Sequence, residues 1–234
     1  MLLIGNSYSG EDIGLSCLKF GAKSVVLCFR TESKGTRWPE SLCEKSLVTR
    51  FEGNVAHFSD GTSKPVDCVI LCTGYLHRFP FLEKNLTIET DNRLWVEGLY
   101  KTTVYIKNAK LMYIGMQNQW FSFVLFDLQA WYVRDVIVGK IVLPPLHEME
   151  ANEMEWRRRA ANLSSPRNSR EFQGAYMSEL NEMTDYYRLD MESRLGHLMQ
   201  WEKAKKTDMT SFRDQSFPST ITGTMAEVPN VPWM

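Results

Sequence analysis

The first 31 residues, MLLIGNSYSGEDIGLSCLKFGAKSVVLCFRT, decide the fold class of this chain. An apolar run ends at Gly5, a turn of small residues reaches Gly10, and a helical stretch then stops at Gly21. The apolar residues of that stretch recur at helical spacing: Ile13, Cys17, Leu18 and Phe20. A second apolar run leads to Arg30. This order of strand, glycine turn, helix and strand is the βαβ unit in which dinucleotide-binding turns occur, and it predicts an α/β, Rossmann-like domain.

Two more runs extend the predicted sheet. Residues 55–59 and 65–72 have strand composition and flank a turn at Asp60 and Gly61. The stretch 67–72 is continuously apolar after its first residue, which is typical of a fully buried parallel strand. It ends in a Thr-Gly-Tyr turn at 73–75, and ligands of open α/β sheets bind at the carboxyl ends of strands. The alternative for this ending is an ordinary strand-to-loop turn.

The rest of the chain has a more helical pattern. Residues 76–118 mix short strands and turns, and a helix is predicted from Phe123 to Gly139. Residues 146–206 are charged and helix-prone, with a break near 162–168, and the tail from Thr207 has no clear period. A folded domain seldom starts flush with a buried strand, so we expect that a polypeptide region before Met1 is missing from this sequence or was never there.

Composition excludes several classes of protein. The 234 residues carry a net charge of -1, with 44% hydrophobic and 12% aromatic residues, which excludes a mainly disordered chain and argues against nucleic acid as a partner. No signal peptide or transmembrane segment is recognisable. Three of the five cysteines lie in apolar runs, and we expect Cys28, Cys68 and Cys72 to be buried free thiols of a cytoplasmic protein. The four histidines lack metal-ligand spacing, so no metal site is predicted.

The small-residue turn predicts phosphate binding. Backbone amides at a helix N-terminus bind phosphate oxygens, and the hydroxyls of Ser7 and Ser9 can also donate to them. Arg30 and Thr31 stand where an acidic residue would hold the ribose of NAD, and this favours the 2′-phosphate of NADP. The alternatives are a small-residue turn that only caps a helix and a solvated arginine at a strand end.

Residues 115–122 bring amides and a hydroxyl between apolar elements. Such a cluster could hydrogen-bond a flat heterocycle such as isoalloxazine. The alternative is that Ser122 caps the helix that begins at Phe123.

Several segments together resemble the class B flavin-containing monooxygenases. The first set comprises residues 3–13, 30–31 and 69–75 with Phe79-Pro80-Phe81. The second set is similar to the trimethylamine monooxygenase branch of that family and comprises residues 115–121, 129–131, 134–135, 212–214 and 221–224. The likeness runs over nearly the whole chain.

The resemblance implies a monooxygenase that uses NADPH and FAD. Family members oxygenate soft nucleophiles, here tertiary amines and also sulfides, with O₂ through a C4a-hydroperoxyflavin. Motif matching implies that Ser7, Tyr8, Ser9, Arg30, Thr31 and Arg213 bind NADP and that Gln119 and Ser122 contact FAD. No catalytic residue is implied.

The resemblance also divides the chain. It implies an NADP-binding domain at 1–74, a partial FAD-binding domain at 75–145, and a helical region with a tail at 146–234. The family's N-terminal FAD-binding G-x-G-x-x-G unit has no counterpart in this sequence. We therefore expect either a missing FAD-binding half or a homodimer as partner, and the alternative function is an inactive NADP-binding fragment or a partner subunit.

Overall fold

The computed structural model describes residues 1–88, 93–220 and 222–225. The chain divides into two compact units. The first comprises Met1–Gly74 with His197–Met234, and the second comprises Tyr75–Gly196. The C-terminal segment thus belongs to the same compact unit as the N-terminal βαβ.

A parallel four-stranded sheet forms the centre of the first unit. Its strands are β1 (Leu2–Ile4), β2 (Val25–Cys28), β3 (Leu42–Lys45) and β7 (Val69–Leu71), in the order β3-β2-β1-β7. Helix α1 (Tyr8–Lys19) connects β1 to β2. The predicted α/β, Rossmann-like βαβ unit is therefore confirmed. Parallel strands need such a crossover, because a tight hairpin can join only antiparallel strands.

Both faces of this sheet are buried around its central strands β1 and β2. Alternate side chains such as Leu3 and Leu27 pack towards α1 and Phe212, whereas Leu2 and Val26 pack towards Ala56 and its neighbours. The second face is covered by an antiparallel sheet of β4 (Val48–Glu52), β5 (Val55–Phe58) and β6 (Ser63–Pro65). Each fully buried Leu or Val contributes roughly 1.5–3 kcal/mol to folding, so this two-sided core is what holds the turn after β1 in place.

The run 65–72 differs from its prediction. It is not one strand: Ser63–Pro65 pairs with β5, and Val69–Leu71 pairs with β1 in the other sheet. Strand β7 is parallel as expected but lies at the sheet edge, where Val69 is 39% and Leu71 is 71% exposed. Cys68 is exposed for the same reason, so its predicted burial is wrong, while Cys28 and Cys72 are buried.

Helix α1 also differs from the prediction in detail. It starts at Tyr8, so Gly10 lies in its first turn and not before it. Phe20 follows the helix as its C-cap and is exposed. The stop at Gly21 is confirmed, because this residue has the positive φ of 97° that ends many helices.

The second unit is mainly helical. Its elements are a hairpin of β8 (Leu99–Tyr100) and β9 (Val104–Tyr105) and the helices α2 (Ser122–Ile137), α3 (Leu146–Ala161) and α4 (Pro166–Met183). Helix α5 (Met191–Thr207) begins in this unit and continues into the first. A short 3-10 helix (Phe212–Asp214) follows it.

The predicted helix over 123–139 is confirmed as α2, and the predicted break near 162–168 separates α3 from α4. Ser165 causes the restart by accepting a hydrogen bond from the Asn168 amide at 3.1 Å, with Pro166 in the first helical position. A second break, at residues 184–190, was not predicted.

No helix in the described part of the chain has both the length and the apolar character needed to cross a membrane. Within the same residues, no group of three or more His, Cys, Asp or Glu side chains is arranged to hold a metal ion.

Candidate functional site

Two glycines shape the turn between β1 and α1. Gly5 has a φ of 115°, and a Cβ there would lie 2.2 Å from the carbonyl oxygen of Cys72. A Cβ at Gly10 would lie 2.0 Å from the carbonyl oxygen of Gly5. Because both clashes are with backbone atoms, no flexible side chain can move aside to relieve them. Strand, turn and helix therefore approach as closely as they do in dinucleotide-binding turns.

Ser7, Tyr8 and Ser9 lie exposed at the beginning of α1. Ser7 is the N-cap, but its side chain makes no capping hydrogen bond. The first amide bonded within the helix is that of Glu11, which donates to the Ser7 carbonyl oxygen at 3.0 Å. The helical amides before it have no acceptor within the helix, and the positive end of the helix dipole lies here. This end of α1 is suited to phosphate oxygens.

Arg30 and Thr31 follow β2 and are exposed. Their loop is tied to the glycine turn, because the Asn6 side-chain amide donates to the Glu32 carbonyl oxygen at 3.3 Å. Within the described residues, the Arg30 guanidinium has no hydrogen bond or ion pair. It is therefore available to an anionic ligand.

Arg213 reaches the same end of α1 from far along the chain. The 3-10 helix carries it, and its guanidinium forms an ion pair with the carboxylate of Asp12. Arg213 is half-buried. The structure thus brings Ser7, Ser9 and Arg213 to one helix end although Arg213 is more than 200 residues away in sequence.

The sequence does not predict that two charged residues at this helix end form an ion pair. Glu11 is buried in the first turn of α1, and Lys205 of α5 contacts its carboxylate. The ammonium of Lys205 also lies 4.2 Å from the ring centroid of Tyr8. Burial lowers the pKa of Lys205, against the opposing effect of Glu11. The sequence shows only that Lys205 shares a helix face with Trp201, one turn before it, and this does not indicate Glu11 as its partner.

In the second unit, two buried glutamines hold the segment 115–122. The Gln129 side chain accepts from the Gly115 amide at 2.8 Å and donates to Gln117 at 3.1 Å. The Gln173 side chain accepts from the Trp120 amide at 2.7 Å and donates to the Asn118 carbonyl oxygen at 3.0 Å. Neutral hydrogen bonds in the core thus fix the segment at residues 115, 117, 118 and 120.

Gln129 also supports a strained turn. Lys101 and Thr102, between β8 and β9, both have positive φ, at 50° and 49°. Such a conformation is unusual for a β-branched residue. The hydroxyl of Tyr176 donates to the Lys101 carbonyl oxygen at 2.7 Å, and Gln129 donates to the Thr102 hydroxyl at 3.0 Å. One buried network therefore holds both this turn and the start of the segment 115–122.

Gln119 and Ser122 both lie in the segment 115–122, and both are half-buried. The side-chain oxygen of Gln119 is buried and has no hydrogen-bond partner within the described residues. Ser122 is the first residue of α2, whose N-cap is Phe121 with no side-chain capping bond. The alternative interpretation of Ser122 as the helix cap is therefore wrong.

Comparison with known proteins gives a consistent result. A family model described as "Flavin-binding monooxygenase-like" matches residues 39–202. The trimethylamine monooxygenase of Roseovarius sp. (strain 217) is 45% identical over 233 residues, which are 100% of this chain and 52% of the relative. The chain thus spans about half the length of the curated relatives it matches.

Two solved structures are similar. The crystal structure of Tmm from Pelagibacter sp. strain HTCC7211 matches with a TM-score of 0.96 and 42% identity, covering 99% of this chain and 53% of that one. The S-allyl-L-cysteine S-oxygenase from Allium sativum matches with a TM-score of 0.73 and 28% identity, covering 92% of this chain and 50% of that one. The chain therefore belongs to the flavin-binding monooxygenase-like family.

Proposed function

We propose that this chain carries the NADPH-binding unit, and part of the FAD-binding surface, of a monooxygenase that oxygenates soft nucleophiles. Tertiary amines are the first substrate class and sulfides the second. Family membership supports the reaction type, and the names of the relatives support the two substrate classes. The observation that carries the proposal is the closely packed glycine turn with an unengaged Arg30 beside its loop.

The turn fits NADP in this proposal. Ser7, Tyr8 and Ser9 bind the pyrophosphate at the end of α1, where amides and hydroxyls are exposed. Arg30 and Thr31 bind the 2′-phosphate, since a guanidinium can donate two parallel hydrogen bonds to phosphate oxygens. Arg213, placed at the same helix end, adds positive charge beside the coenzyme.

The segment 115–122 fits FAD in this proposal. The side-chain oxygen of Gln119, which has no hydrogen-bond partner among the described residues, can accept a hydrogen bond from the bound group, and Ser122 offers a hydroxyl in the same segment. When bound and reduced by NADPH, the flavin supplies the chemistry that activates O₂. The residues of this chain hold and orient the two cofactors and exclude water.

The proposal extends to the organisation of the whole protein. We assign 1–74 to the NADP-binding domain, 75–145 to a partial FAD-binding domain and 146–234 to a helical region with a tail. The remaining flavin contacts are assigned to the half of the relatives that this chain does not match. We further propose that the whole protein is a cytoplasmic homodimer that acts on small amine or sulfide substrates.

The test starts from the purified chain with FAD, NADPH and trimethylamine. We expect flavin absorbance and trimethylamine-stimulated NADPH oxidation when the N-terminal half of the Roseovarius relative is added as a separate chain. A dialkyl sulfide in place of the amine tests the second substrate class. A chain that binds no NADPH under any of these conditions overturns the proposal.

A second candidate function is coenzyme binding without turnover. It is favoured by one observation: Ser7, Arg30 and Arg213 all belong to the first compact unit, so an NADP site does not need the flavin-facing segment. A colourless protein that binds NADPH, but takes up no flavin even with the added half, supports this candidate over the first.

A further inference from the structure

The carboxylate of Glu11 occupies an unusual position for a charged group. It lies in the first turn of α1 with only 2% of its side chain exposed. One of its oxygens is 2.8 Å from the ammonium of Lys34, and the other contacts the ammonium of Lys205. Burying a carboxylate is costly unless both oxygens are paired, and here each has its own cation. Glu11 therefore links three separate parts of the first unit.

The ion pair with Lys34 connects Glu11 to the loop that carries Arg30. Lys34 follows Thr31 by three residues in a stretch without regular secondary structure. A second, longer hydrogen bond ties this loop to the glycine turn, from the Asn6 side-chain amide to the Glu32 carbonyl oxygen at 3.3 Å. The ion pair with Glu11 is shorter and charge-assisted, so it is the stronger of the two tethers.

The ion pair with Lys205 connects Glu11 to Tyr8. The Lys205 ammonium lies 4.2 Å from the Tyr8 ring centroid and 5.4 Å from that of Trp201. At this distance an ammonium group and an aromatic ring attract each other, and the attraction is strongest where water is excluded. Lys205 is buried, so this condition is met. Through Lys205, Glu11 therefore fixes the first side chain of α1.

We infer that Glu11 is a positioning residue of the coenzyme site: through Lys34 it fixes the loop that presents Arg30 and Thr31, and through Lys205 it fixes the ring of Tyr8. The inference rests on the proposed NADPH site. It adds that the preference for NADPH over NADH depends on a carboxylate that touches neither coenzyme.

The direction in which one substitution changes coenzyme affinity distinguishes a positioning role of Glu11 from a role in charge balance alone. Glu11→Gln keeps the size of the side chain and removes one negative charge near two lysines. If Glu11 only balanced charge, its loss would strengthen the binding of every anionic coenzyme. If Glu11 positions the Arg30 loop, NADPH binding weakens more than NADH binding, because NADH loses only the contribution of Tyr8 to the shared pyrophosphate site.

The experiment measures the affinities of the full 234-residue chain for NADPH and NADH by fluorescence titration. We expect Glu11→Gln to lower the NADPH preference about tenfold, as loss of one charge-assisted contact would. Glu52→Gln, which removes an exposed carboxylate paired with Arg50, is the matched control and should leave the preference unchanged. Equal changes in both affinities, or tighter NADPH binding, overturn the inference. A wild-type chain that binds no NADPH overturns the proposed function as well.

A second variant keeps the test valid if Glu11→Gln does not fold. Lys34 is 38% exposed, so Lys34→Met removes the loop tether without changing a buried side chain, and Glu11 keeps its contact with Lys205. We expect it to lower the NADPH preference and Lys34→Arg to restore it. In the double variant Glu11→Gln/Lys34→Met, the two effects should not add, because both break the same tether. Additive effects overturn the inference.

Discussion

The two candidate sites hold their ligand-facing segments in different ways. At the start of α1, ion pairs connect Glu11 and Asp12 to cations from a loop, from α5 and from the 3-10 helix. At the segment 115–122, neutral amides of Gln129 and Gln173 make the connections. The difference agrees with the ligands proposed: a polyanionic coenzyme at the first site and an uncharged ring system at the second. Charged connections respond to pH and salt, whereas buried neutral hydrogen bonds respond mainly to changes in packing.

The largest effect is expected in the neutral network. Gln129→Leu leaves the Gly115 amide and the groups around Thr102 without their buried partner. Each unsatisfied buried group costs about 1–3 kcal/mol, so we expect a loss of about 3–5 kcal/mol in the free energy of unfolding. Urea unfolding measures it. The exposed Gln215→Leu serves as control, and an equal cost for both variants would show that the network does not hold the segment.

The glycine turn should show the next largest effect. Gly5→Ala forces a Cβ onto a backbone with φ of 115° and against the carbonyl oxygen of Cys72, and we expect a cost of about 2–3 kcal/mol together with loss of NADPH binding. Gly14→Ala, in the middle of α1, is the control. Its Cβ would meet only side chains, at 3.4 Å or more. We expect that control to be neutral or to stabilise by about 0.5–1 kcal/mol. Thermal unfolding and NADPH titration distinguish the two variants, and a Gly5→Ala chain as stable as wild type would contradict the close approach.

Arg30→Ala tests the charged site without touching the core. We expect NADPH binding to weaken by about 1.5–3 kcal/mol, since one charge-assisted contact with the 2′-phosphate is lost, while NADH binding stays the same. Titration of both coenzymes measures this. Arg50→Ala removes an exposed arginine of the same unit as a control. Unchanged NADPH affinity would remove Arg30 from the site.

The smallest effect is a pH dependence of stability that comes from the turn before the 3-10 helix of Arg213. Hydrogen bonds from the Ser211 hydroxyl and from Thr210 lower the pKa of the Asp208 carboxyl to about 2, from an ordinary 3.8. A carboxyl whose pKa is lowered by folding stabilises the folded state above its unfolded pKa, and this stability is lost as the pH falls from about 4 to about 2. Because Asp208 is exposed, screening limits the contribution to less than about 1 kcal/mol.

Urea unfolding at several pH values between about 5 and 2.5 measures this contribution. Asp208→Asn should lose less stability over that range than the wild type, since the substituted amide does not titrate there. An identical pH profile for both proteins would show that Asp208 does not anchor the turn before the helix of Arg213.

Local patterns explain what could be predicted from the sequence. The βαβ unit and α2 were predictable because periodicity and glycine stops act within a few residues of one another. The exposure of Leu71 was not, because an apolar run has the same composition in a central strand and in an edge strand. The pairing of Glu11 with Lys205 was not predictable either, since 194 residues separate them and neither side chain is unusual in its own helix.

The edge position of β7 has a practical consequence. One side of this strand pairs with β1, and its other side has no neighbour in the four-stranded sheet. A strand whose second edge is unpaired among the described residues, and which displays Val69 and Leu71, is a template on which a second polypeptide can add a strand. Solutions of the isolated chain will therefore aggregate more readily as concentration rises, and a lysine introduced at Leu71 is the substitution to try first for improving its solubility.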